Sequence, residues 1–144
     1  MRSLLDINVL IALLDANHAF HQRSHQWWGA NIKSGWASCP LTENGVVRVM
    51  SNLGYSQTLR LTPSDLINRL KLFADQTDHE FWADDVSLRD GAVFVAERMH
   101  SSRQLTDIYL LALAMAHGGR LATFDQNIPL SVVSGAKAAN IHVL

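Results

Sequence analysis

Four acidic residues interrupt apolar stretches of this 144-residue chain. Asp6 follows Leu4-Leu5 and precedes the run INVLIALL. Glu43 lies in TENGVVRVM, where helical spacing sets it on the face of Val46, Val47 and Met50. Asp107 follows Thr106 in TDIYLLALAMAH, and Asp125 closes RLATF. An ionised carboxylate is costly to bury without a partner. Singly, each has a plain account: a helix cap, a favourable dipole or a turn. Together they invite a chemical one. Carboxylates brought close raise one another's pKa, and a divalent cation relieves the repulsion. Oxygen ligands with no convergent His or Cys favour Mg²⁺ or Mn²⁺ over Zn²⁺. Such a site suits phosphodiester hydrolysis, with activated water and an offset charge on the leaving oxygen. The other nine acids read as solvated surface, with Asp15 as a helix terminator.

The elements that must position these acids follow from pattern. Residues 3–6 predict a short strand and 7–14 a helix apolar on nearly all sides, ended by Asp15-Ala16-Asn17. Residues 18–32 predict an amphipathic helix, and Trp36-Ala37-Ser38 a strand. Pro40 opens a helix to about Leu53, with Gly54 as its cap. Thr62-Pro63-Ser64-Asp65 starts a helix with Leu66, Leu70 and Phe73 on one face. Residues 80–86 predict a weaker strand, and Ser87 to Asp90 reads as a capping box before AVFVAERM. A helix over 106–117 is stopped by Gly118-Gly119, and RLATF and IHVL are strands. Strands alternating with helices predict one α/β domain over 1–144, a parallel sheet of about four to five strands with helices on both faces. The four acids then fall at strand ends and helix starts, the edge where such sheets bind ligands.

Bulk properties narrow the classes. Apolar residues make up 48% of the chain and charged residues 17%, which argues against disorder. The formal charge of −1 lacks the basic excess common in nucleic-acid binders, although a local patch suffices. Nine of the twelve basic residues are Arg. Arg48, Arg103 and Arg120 lie near the proposed edge in sequence, as phosphate contacts or as surface ion pairs. The single Cys39 reads as a small buried residue. No segment approaches the ~20 apolar residues that span a bilayer, and no cleavable leader is evident. The expectation is a soluble cytoplasmic protein with no membrane partner.

Several features compete for attention. His18, His21 and His25 share roughly one helix face, as a zinc site or as a polar surface; no fourth ligand is specified. His117 is placed to meet the end of its helix. Trp27, Trp28, Trp36 and Trp82 can stack bases, but packing is the simpler role. A receiver-type phosphoacceptor would need an acidic doublet and a late Lys that this chain lacks. A phosphatase of the haloacid dehalogenase type would need a second Asp where Asn8 stands. A non-catalytic interaction module remains an alternative.

The matching stretches, in order, are LLDINVLIALL at 4–14, the histidine-rich second helix, PLTENGVVRVMSN at 40–52, LTDIYLLALAMAHGGRLATFD at 105–125 and IPLSVVSGAKAANIHVL at 128–144. They resemble PIN-domain ribonucleases, more narrowly the VapC-type toxins of toxin–antitoxin pairs. The resemblance covers nearly the whole chain. It implies a PIN-like three-layer α/β/α sandwich and Mg²⁺- or Mn²⁺-dependent endonucleolytic cleavage of RNA to 5′-phosphate and 3′-hydroxyl ends. Asp6, Glu43, Asp107 and Asp125 stand at the family's acidic positions. Asp6 and Asp107 would be primary metal ligands, and Asp125 and Glu43 would ligate through water, hold a second metal ion or position the nucleophile. Asn8, Thr123 and Asn127 would support them. The stretch Phe124-Asp125-Gln126-Asn127 lacks the further acid common in the family, which puts a second metal ion in doubt. The resemblance also implies an antitoxin partner and a homodimer. A PIN nuclease that processes RNA or cuts DNA without an antitoxin is the alternative within the fold.

Overall fold

The computed structural model describes residues 1–144. Five strands, β1 (Ser3–Leu5), β2 (Trp36–Ser38), β3 (His79–Phe81), β4 (Arg120–Thr123) and β5 (Ile141–Val143), form one sheet in the order β3-β2-β1-β4-β5. Every pairing is parallel. The helices are α1 (Ile7–Leu14), α2 (His21–Asn31), α3 (Pro40–Met50), α4 (Pro63–Asp75) and α5 (Leu105–Ala116). The expected parallel α/β/α architecture is therefore present.

The strands are short, but their alternation separates two cores. Leu4, Ala37 and Leu121 face one side, where they pack with α5, Trp82, Phe94 and Val132. Leu5, Trp36 and Ala122 face the other, where they pack with α1, Val46 and Met50 of α3, and Leu66 of α4. A sheet covered on both faces buries its central strands at every residue, as in β1 and β2, with Ser3 and Ser38 included.

Local signals set the helix ends. Thr62 and Asp65 exchange hydrogen bonds to one another's backbone N–H, and Pro63 opens α4. Gly118 takes a left-handed φ of 69° after α5. Gly119 serves differently: a Cβ there would lie 2.6 Å from the Arg2 carbonyl oxygen and 2.6 Å from the Trp82 ring. Its bareness lets β4 enter beside β1.

Some boundaries differ from expectation. Helix α2 begins at His21, because His18 and Asp15 hold the preceding residues in turns. Helix α3 stops at Met50, where the Ser51 hydroxyl donates to the Val47 carbonyl. Strand β3 covers His79–Phe81 rather than 80–86, since Trp82 buries its indole under the sheet and the chain turns away. AVFVAERM forms no α-helix. The Asp90 side chain turns the chain by accepting from the Ala92 N–H. Val95 N–H then bonds the Val132 carbonyl, and Ser134 N–H the Val93 carbonyl. The β-branched residues there favour this extended pairing, and only Ala96–Arg98 winds into a 3₁₀ turn. No helix is long and apolar enough to cross a membrane.

Candidate active site

The carboxyl ends of β1 and β4 carry the site. Asp6 leaves β1 and caps α1, and its carboxylate accepts from the Ile7 N–H at 2.6 Å. Its own N–H remains in register, donating to the Ala122 carbonyl. The Thr123 hydroxyl at the end of β4 donates to the Asp6 carboxylate at 3.2 Å and accepts from the Asp125 N–H at 3.1 Å. One buried hydroxyl thus ties two of the predicted acids together. Asp125 in turn accepts from the Asn127 N–H, closing a tight turn. The Gln104 amide donates to the Asn127 carbonyl and holds that turn against the start of α5.

Helix α5 brings Asp107 to the same place. Burial pushes its carboxyl up to about 7, assisted by the charges of Asp6 and Asp125 and a hydrogen bond to Asp125. Asp6 is raised as well, chiefly by burial, with Asp125 adding repulsion and the Ile7 and Thr123 bonds opposing it. Asp6, Asp107 and Asp125 therefore sense one another. The positive ends of α1 and α5 offset part of that repulsion.

Glu43 sits one strand away. It is half-buried in the first turn of α3, and the Ser38 hydroxyl at the end of β2 donates to it at 2.6 Å. The same hydroxyl lies 2.8 Å from His79 Nε2 on β3. With the Ser38 proton directed at Glu43, His79 Nε2 is the donor to Ser38. Burial lowers the His79 pKa, and the Glu43 charge acts against that shift. The four acids thus form two groups along one sheet edge: Asp6, Asp107 and Asp125 over β1 and β4, and Glu43 with Ser38 and His79 over β2 and β3. Ser38 and His79 were not singled out from the sequence. Ser38 is marked there only as a polar residue closing β2, and His79, which opens β3, carries no signal of its own.

The remaining candidates separate clearly. Thr123 joins the acids through its side chain. Asn127 does so through its backbone, and Asn8 is exposed and makes no hydrogen bond to them. Arg120 lies at the opposite edge, bonded to Ser3 and Asn31, so it is a fastener of β4 and not a phosphate contact of this site. The histidine row closes helix ends: His21 meets the Ala12 carbonyl, His25 the Leu13 carbonyl and His18 the Phe20 N–H. His117 stacks on Trp82 at 4.7 Å and approaches Asp85 at 3.3 Å. The buried Cys39 thiol is pushed up to about 11 by desolvation, which suits packing and not nucleophilic attack.

The donor set fits a hard cation. It is all oxygen, and its charge repulsion is relieved by positive charge. No three of these side chains lie close enough together to hold an ion among them. Mg²⁺ does not need three, since it keeps several waters and uses one or two carboxylates with substrate phosphate.

Comparison with known proteins identifies the family. The PIN domain family matches residues 3–133. Ribonuclease VapC44 of Mycobacterium tuberculosis is 46% identical over 147 residues, covering 100% of both chains. Ribonuclease VapC39 of the same organism is 40% identical, over 94% of this chain and 96% of its own. Ribonuclease VapC38 is 41% identical, over 88% and 86%. The carboxylates at the ends of β1 and β4, the parallel sheet beneath them and these full-length similarities together show that the chain belongs to the PIN-domain family, among its VapC-type ribonucleases.

Proposed function

We propose that this chain is a divalent-metal-dependent endoribonuclease and the toxin of a toxin–antitoxin pair, acting as one PIN domain over residues 1–144 in the cytoplasm. The observation that carries the reading is the coupled group of Asp6, Asp107 and Asp125. Three carboxylates held so that Asp107 rises to about 7 favour a cation. Asp6 and Asp107 would hold Mg²⁺ or Mn²⁺, with Asp125 beside them. When bound, the ion supplies an activated water and offsets charge on the phosphate oxygens.

The chain's own residues prepare that site. Ile7 N–H and the Thr123 hydroxyl each occupy one oxygen of Asp6 and fix its orientation. Asp125 is oriented through its backbone by the same hydroxyl. Glu43, steered by Ser38, would act on the water side of the substrate. The ribonuclease names of the relatives support RNA as substrate, and their VapC naming supports an antitoxin partner. A homodimer is part of the reading.

The test is cleavage of total RNA by purified protein with Mg²⁺ or Mn²⁺. Asp6→Asn and Asp107→Asn should each lower cleavage by about 100-fold or more without lowering thermal stability. Intact RNA after incubation of the wild-type protein with either ion would overturn the enzyme. Copurification with the product of a neighbouring short reading frame tests the antitoxin, and light scattering tests the dimer.

A further inference from the structure

A second feature lies beside the acids and has no role in holding them. Phe20 immediately precedes α2, at a position that prefers Ser, Thr, Asp or Asn because they cap the helix. A phenyl ring cannot cap, and this one is 42% exposed. It lies 4.9 Å from the ring of Phe124, centroid to centroid, at an interplanar angle of 43°. Phe124 stands between Thr123 and Asp125, the two residues joined by the hydroxyl bond that supports Asp6. The aromatic pair is therefore joined through Phe124 to the segment that carries Thr123 and Asp125, with the Phe124 ring packed on the α1 side of the sheet.

Arg23, in the first turn of α2, completes the cluster. Its guanidinium carbon is 5.6 Å from the centre of the Phe20 ring and 5.8 Å from that of Phe124. It donates to a main-chain oxygen of Leu144. A guanidinium has five N–H donors, so most remain available. A guanidinium with free N–H donors over the exposed Phe20 ring and the half-buried Phe124 ring has the composition of a nucleotide contact: a ring for the base and a fork for the phosphate.

We propose that Phe20, Phe124 and Arg23 form a stacking platform for one base of single-stranded RNA next to the bond that is cut, with Arg23 holding an adjacent phosphate. The proposal rests on the ribonuclease reading and gives that enzyme a determinant of position along the strand. Stacking tolerates any base, so the platform contributes affinity and register and little sequence preference.

The experiment separates the platform from the enzyme. Binding of a pool of random-sequence, fluorescein-labelled RNA 20-mers is measured by anisotropy with Asp107→Asn protein, which binds without cutting. In that background Phe20→Leu keeps apolar bulk but removes stacking, and should weaken binding about fivefold or more. Phe20→Trp should restore it. Arg23→Gln leaves both rings in place and should lower the slope of log affinity against log salt by about 0.7. Equal binding by the parent, Phe20→Leu and Arg23→Gln proteins overturns the platform and leaves the ribonuclease standing. A Phe20→Leu loss that Phe20→Trp does not restore, with an unchanged salt slope in Arg23→Gln, makes the cluster a structural tie and also overturns it. Absence of binding by the parent, together with no cleavage by wild type, removes both readings.

Discussion

Thr123 is the residue on which the acidic site turns. Its hydroxyl gives a hydrogen to Asp6 and takes one from the Asp125 N–H, so a single atom orients two carboxylates. Thr123→Val keeps the shape and loses both bonds. Mn²⁺ affinity, read by calorimetric titration, should fall about 10–100-fold, and Thr123→Ser should recover most of it. Ser38 has the parallel duty for Glu43. Ser38→Ala frees the Glu43 carboxylate and leaves His79 without its partner. Cleavage should drop about tenfold, while Mn²⁺ affinity at Asp6 and Asp107 stays near wild type, because those acids belong to the other group. An equal loss in both measurements would mean that Glu43 shares the first ion.

At the level of elements, the site exists because two strands end together and two helices begin there. The parallel pairing of β1 with β4 sets Leu5 opposite Ala122, so Asp6 and Thr123 emerge side by side. The start of α5 is held to the same edge by Gln104 and the Asp125 turn. The entry of β4 depends on Gly119, whose missing side chain admits the Arg2 carbonyl and the Trp82 ring. Gly119→Ala should cost about 1–3 kcal/mol of stability in urea denaturation, by forcing β4 off β1. The change should also weaken metal binding through displacement of Thr123. A variant as stable as wild type would show that the Arg2–Trp82 corner yields.

The whole molecule feels the site through proton linkage. Burial and the neighbouring carboxylates push the Asp107 carboxyl in the fold from its ordinary 3.8 up to about 7, and Asp6 is raised as well. A carboxyl raised on folding contributes stability that is full below its unfolded pKa and is lost as pH rises through the folded value. Metal-free protein should therefore lose thermal stability between about pH 4 and pH 7 through this group. In the same window Asp107→Asn should flatten that slope, and comparing the two proteins cancels the groups that are not coupled to Asp107. Bound cation replaces the proton, so added Mg²⁺ or Mn²⁺ should raise Tm more at pH 8 than at pH 5.5. A metal-induced gain equal at both values would remove Asp107 from the ligand set.

The sequence by itself determined the alternation of strands and helices and the positions of the four acids. Periodicity, Pro40, Thr62 with Asp65, and the Gly118-Gly119 stop are local signals, each expressed within a few residues. Where local signals conflicted, the sequence misled. Ser87 to Asp90 resembles a helix start, yet residues 93–95 pair with 132–134, a partner about forty residues away. The tertiary structure alone decided that the acids divide into two groups, that Arg120 faces the opposite edge, that Ser38 and His79 stand beside Glu43, and that Phe20 and Arg23 gather on Phe124. The reason is physical. Side-chain direction at a strand end depends on which strand lies beside it, and the order β3-β2-β1-β4-β5 is a long-range property that no short stretch encodes.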